Sequence, residues 1–84
     1  MKIQLKYFAS IREALGHGGE TLDVAATTVG ALRDELIARG GAYAQALARG
    51  KAVRVALNQA MVADETASLS EGAEVAFFPP VTGG

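Results

Sequence analysis

The sequence has no cysteine, a single histidine and only two prolines in 84 residues. Without cysteine the chain can supply neither a disulfide framework nor a thiol nucleophile. One imidazole and no thiol also argue against a structural zinc site. Neither sign of charge dominates, since the formal net charge is −1, and basic residues do not cluster with aromatics. Both facts argue against nucleic acid as a partner. Long apolar runs are missing too. The segment from Met1 to Phe8 is too short and too charged for a signal peptide, and nothing approaches transmembrane length. The expectation is a soluble cytoplasmic domain without a membrane partner. The length suits one domain, and a domain this small buries roughly 60–65% of its unfolded surface.

What is present is patterned. In KIQLKYF, Ile3, Leu5 and Tyr7 alternate with Lys2, Gln4, Lys6 and Phe8, which predicts a half-buried strand. SIREALG follows. The Ser10 to Glu13 spacing predicts a capping box, and Gly16 a C-terminal stop. GHGG reads as a flexible loop. ETLDV alternates again, with Leu22 and Val24 inward, and an antiparallel pairing with the first strand is expected. TTVGALRDELIARGG carries the strongest helical pattern. Thr28 caps it, and Val29, Leu32, Leu36 and Ile37 form its apolar stripe. Arg33, Asp34, Glu35 and Arg39 are expected on or near the solvent side, and Gly40-Gly41 ends the helix. AYAQALARG extends the helical content, anchored by Tyr43 and Leu47. AVRVALN is a strand with Val53, Val55 and Leu57 inward. Asn58-Gln59 is a turn, and Met61-Val62 a very short strand. Leu69 enters the core, Gly72 turns the chain, and AEVAFF is the last strand with Val75 and Phe77 inward. One main helix on one face of a mixed sheet is the α+β layout of a ubiquitin-like β-grasp. The expected division is a β-grasp domain over 1–78 and an extended tail over 79–84.

Two aromatics break the inward pattern. Phe8 and Phe78 fall on the strand face opposite the core set, and Met61 is a third apolar residue near a strand end. Single exposed hydrophobes are normal on a small domain. A partner interface is the better explanation if the three are neighbours, because aromatics and Met are enriched there. Side chains for catalysis are harder to find. His17 sits among glycines, where nothing is expected to fix its ring. GHGG lacks the strand–helix context of a phosphate loop. Asp34-Glu35 and Asp64-Glu65 are adjacent pairs whose carboxylates do not converge, so they read as solvated charges.

That leaves FFPPVTGG, Phe77 to Gly84. A terminal α-carboxylate is a poor electrophile, so acyl chemistry there needs activation, and a mixed anhydride with AMP is the biological route. Gly83 and Gly84 have no Cβ and fit a narrow tunnel. Pro79 and Pro80 fix φ, favour an extended approach and end the last strand. Pro79, Pro80, Val81, Thr82, Gly83 and Gly84 together reach at most ~20 Å. Stiffening by proline lowers the entropy lost on insertion. A frayed terminus with two incidental glycines is the competing account, and it leaves the Pro-Pro and the aromatic pair unexplained.

Strand order and tail together resemble the MoaD family, the small subunits of molybdopterin synthase. The resemblance is most specific over EGAEVAFFPPVTGG, with further likeness in YFASIREALG and VALNQAMV. It implies that an E1-like, ATP-consuming enzyme adenylates Gly84 and that a sulfur donor converts the adenylate to a thiocarboxylate. It implies that the tail then enters the large synthase subunit and donates sulfur toward the molybdopterin dithiolene. A heterotetramer, with a contact surface at Phe8, Met61 and Phe78, is implied as well. The carrier itself would hold no stable cofactor and would not be an enzyme on its own. Sulfur carriers for thiazole synthesis or tRNA thiolation, a ubiquitin-like modifier, and a binding module with an inert tail are the alternatives.

Overall fold

Alternation in KIQLKY produces the strand it predicts. The computed structural model describes residues 1–80, and in it β1 (Lys2–Tyr7) buries Ile3, Leu5 and Tyr7 almost completely. The remaining elements are α1 (Ala9–Leu15), β2 (Gly19–Asp23), α2 (Val29–Ile37), α3 (Gly41–Ala46), β3 (Arg54–Leu57), β4 (Ala60–Met61) and β5 (Glu74–Phe78). The strands form one sheet in the order β2-β1-β5-β3-β4. β1 and β2 pair antiparallel, as expected, while β1 and β5 are parallel neighbours at the centre. The last strand is therefore hydrogen-bonded on both sides, to β1 and to β3.

One face of the sheet carries Ile3, Leu5, Tyr7, Val55, Val75 and Phe77. These pack with Ile11 of α1, Val29, Leu32 and Leu36 of α2, and Leu47 after α3. Each such side chain contributes about 1.5–3 kcal/mol relative to exposure. The three helices therefore share a face, and the opposite face of the sheet has none of these core residues. The α+β, β-grasp layout read from the sequence is the one found.

Helix α2 starts as its sequence predicts. The Thr28 side chain accepts a hydrogen bond from Ala31 N–H at 3.2 Å. Two more of the orphan N–H groups at this end donate into the 65–69 segment, Val29 to Ala67 O and Gly30 to Glu65 O. A Cβ on residue 30 would stand 3.2 Å from both Glu65 Cβ and Glu65 O. Glycine there lets the segment close over the helix start.

Three local expectations fail, each for a physical reason. The Ser10–Glu13 capping box does not form, because α1 begins two residues early. Phe8 is its N-cap without a side-chain bond, and Ala9 makes the turn in the left-handed region at φ 51°. Arg33 is not solvent-facing but only 5% exposed. Glu35 is half-buried and accepts from the N–H groups of Ala25 and Ala26, at 3.2 and 3.1 Å. The C-terminal stop at Gly16 is present, in the left-handed conformation with its N–H donating to Arg12 O.

Candidate functional site

The register of the sheet builds the site. Across the helix-free face one row runs Lys6, Ala76, Ala56, Met61, since Lys6 pairs with Ala76, Ala76 with Ala56, and Ala56 with Met61. The next row toward the C-terminal end of β5 holds Phe78 opposite Arg54. Phe8 joins this row. It follows Tyr7, the partner of Phe77, its backbone is still extended, and its N–H donates to Phe77 O at 3.2 Å. Phe8, one residue past β1, and Phe78 of β5 are thus neighbours, with strand backbones about 4.8 Å apart. Met61 lies two strands beyond Phe78 across a floor of two alanines. Phe8 is 46% exposed and Met61 60%, while Phe78 is half-buried. Strand alternation after buried Tyr7 turns Phe8 outward, and the turn at Ala9 then takes the chain off the strand into α1.

The three residues singled out in the sequence therefore share one face, with Phe8 and Phe78 as neighbours. Pro79 and Pro80 follow directly from this face and are half-buried. Pro79 lines a cleft of about 190 Å³ with Ser10, Gln45, Lys51 and Val53. Val81, Thr82, Gly83 and Gly84 lie outside the described residues.

Two polar clusters on the molecule were not anticipated. Arg33 Nε donates to Leu47 O at 2.8 Å, and Nη2 donates to Ala48 O at 2.8 Å. Its Nη1 pairs with Glu65 at 2.9 Å. Glu65 and Asp34 both bond Arg49, so the acidic pairs do not stand as free solvated charges. Burial pushes the Glu65 carboxyl up, but hydrogen bonds from Arg49 and Arg33 outweigh it and hold it below the usual range. The signal for Arg33 was in the spacing. It lies four residues after Val29 and three before Leu36, on the apolar stripe.

The second cluster corrects His17. Its ring meets Tyr7 edge-on at 5.4 Å. Nδ1 lies 3.1 Å from Gly19 O, and Nε2 lies 3.3 Å from the Tyr43 hydroxyl. Tyr7 and Tyr43 both donate to Glu20 Oε2, at 2.9 and 2.5 Å. Burial, then the Glu20 hydrogen bond, raises both phenols above their ordinary range. No local pattern could reveal this, because Tyr43 is 26 residues from His17 in the chain.

A five-stranded mixed sheet with its helices on one face, and a C-terminal segment leaving from the central strand, defines a ubiquitin-like β-grasp protein. The chain belongs to the ThiS family, whose profile matches residues 5–84. Two curated relatives are named molybdopterin synthase sulfur carrier subunit. The Haemophilus influenzae protein is 40% identical and the Escherichia coli protein 42%, each over 98% of this chain and 99% of the relative. Among solved structures, H. volcanii small archaeal modifier protein 1 is 27% identical with a TM-score of 0.75. That match covers 95% of this chain and 98% of the other. No helix among the described residues is long and apolar enough to cross a membrane.

Proposed function

We propose that the chain is the sulfur-carrier subunit of a molybdopterin synthase. The observation that carries this reading is near-full-length identity of 40–42% to two proteins so named. In the proposed cycle the Gly84 carboxylate, an anion with a pKa near ~3.3–3.7, attacks the α-phosphorus of ATP in an E1-like enzyme, and pyrophosphate leaves. Sulfide-level sulfur from a donor then attacks the acyl carbon, AMP leaves, and Gly84 ends as a thiocarboxylate. Phe8, Met61 and Phe78 dock on the large synthase subunit. Pro79, Pro80, Val81, Thr82 and Gly83 lead Gly84 into its active site, where sulfur passes toward the dithiolene. A heterotetramer of two large and two small subunits, working in the cytoplasm, completes the proposal. The carrier contributes no catalytic side chain; its part is to deliver a tethered nucleophilic sulfur, and ATP is consumed by the activating enzyme.

Intact-mass measurement after incubation with activating enzyme, ATP and a sulfur source tests this. The expected product has one oxygen replaced by one sulfur at the C-terminal residue. An unchanged mass under conditions that load a known carrier overturns the proposal. Likeness to an archaeal modifier protein favours one second reading, covalent attachment through an isopeptide bond. A lysine-linked adduct in the same assay, in place of the thiocarboxylate, would select it.

A further inference from the structure

The charges around the docking face are unevenly placed. Lys6 shares the helix-free row with Ala76, Ala56 and Met61, and Arg54 stands directly opposite Phe78. Lys51 lines the cleft against Pro79, three residues before Arg54. All three are exposed, and none takes part in an ion pair among the described residues. Most of the carboxylates that could balance them are engaged elsewhere. Glu20 holds two tyrosines, and Asp34 and Glu65 hold Arg49. Asp23 pairs with the Met1 amino group, and Glu71 accepts from Lys2 N–H, at the other end of β1. Glu74 opens β5 opposite Gln4, on the same face as Lys6 and one row away, and forms no ion pair with it. Asp64 shares a shallow cleft with Arg54; its Oδ1 accepts from the Thr66 N–H and hydroxyl, which keeps the carboxylate charged but turned to its own turn. A chain of net charge −1 thus carries three cations against two neighbouring carboxylates, a net cationic collar, where its tail segment leaves the sheet.

We propose that Lys6, Lys51 and Arg54 form an electrostatic collar that docks on an acidic rim of the large subunit, around the mouth that admits the tail. The proposal rests on the sulfur-carrier reading. Its physical logic is sorting of charge. The tail is an anion in both its carboxylate and thiocarboxylate forms, so the pocket that receives it must be cationic inside. A cationic collar would be repelled by such a pocket unless carboxylates ring its entrance. Lysine and arginine at the edge of an apolar patch act chiefly on association rate and orientation. The apolar centre of Phe8, Phe78 and Met61 supplies the lifetime of the complex.

Association with the purified large subunit, followed by stopped-flow at about 0.05 and 0.5 M salt, is the test. The wild-type rate constant should fall about tenfold over that range, as steered association does. The neutral triple variant Lys6→Gln, Lys51→Gln, Arg54→Gln should lose most of that dependence. The triple reversal Lys6→Glu, Lys51→Glu, Arg54→Glu should invert it, associating faster as salt rises. All three positions are on the surface, and circular dichroism checks that the variants fold. Phe78→Ala is the companion arm: it should raise the dissociation rate while leaving the salt slope intact. Identical slopes in wild type and both triple variants, with Phe78→Ala still weakening the complex, overturn the collar and leave the carrier reading standing. Absence of any complex with the wild type overturns both. A salt effect confined to the activating enzyme would also overturn the proposal and assign the collar to that partner instead.

Discussion

Three single residues show how a small chain places side chains by backbone conformation. Ala9 sits at φ 51°, and Asn58 and Gln59 at φ 50° and 70°. All are left-handed, a region that disfavours residues with a Cβ by roughly 1–2 kcal/mol. At Ala9 the turn carries the chain from β1 into α1 directly after Phe8. At Asn58-Gln59 it makes the tight hairpin joining β3 to β4 that positions Met61. Asn58 suits its place, and its Oδ1 accepts from Glu74 N–H at 3.0 Å; Gln59 has no such compensation among the described residues. Gln59→Gly is expected to stabilise the fold by about 0.5–1 kcal/mol. Thermal denaturation should then show the midpoint rising by about 4–8 °C per kcal/mol. The outward parity of Phe8 and Phe78 was legible in the sequence, because alternation alone decides which face a strand residue meets. The turn at Ala9 was not, since alanine gives no hint of a left-handed conformation and the Ser10–Glu13 pattern pointed to a different start.

Among the elements, α2 and α3 are joined by Arg33. Its guanidinium satisfies the carbonyls of Leu47 and Ala48, which α3 leaves without helical donors, and it meets Glu65 from the segment that caps α2. One planar group thus ties three pieces of chain together. Arg33→Met keeps the stem but abandons those acceptors, and should cost about 2–4 kcal/mol, measured by urea denaturation. Arg33→Lys should recover little, because an ammonium cannot reproduce the fork of donors. The α2 stripe was readable from Val29, Leu32 and Leu36, and so was the Thr28 cap. The charge of Arg33 points to solvent, whereas its position on the stripe points inward. The acceptors that make its burial tolerable come from residues 14 and 15 further along the chain, beyond the reach of local pattern.

For the whole molecule the two polar clusters set opposite limits of pH. The Glu65 carboxyl is held low in the fold. Its contribution to stability is therefore complete above the unfolded value of about 4.3 and is lost as pH falls through the lower folded value. Tyr7 is raised by burial and by Glu20. Its contribution is complete below the unfolded value of about 10 and declines as pH rises beyond it, because only the unfolded chain ionises readily there. Urea midpoints measured across pH should show a plateau between these limits. Glu65→Gln should flatten the acid side and Tyr7→Phe the alkaline side, each leaving the other unchanged. The strand and helix order that defines the β-grasp could be read from hydrophobic period alone. The central placement of β5 could not, because pairing between the first and last strands depends on contacts across almost the whole chain.

That central placement has a mechanical consequence. β1 and β5 run parallel, side by side, so tension between the start of β1 and the Pro79-Pro80 exit pulls the two strands past each other lengthwise. Their cross-links are then loaded in shear and must fail together rather than unzip one at a time, while β3 grips β5 from its other edge. The Pro79-Pro80 exit thus hangs from the part of the sheet best able to resist a pull.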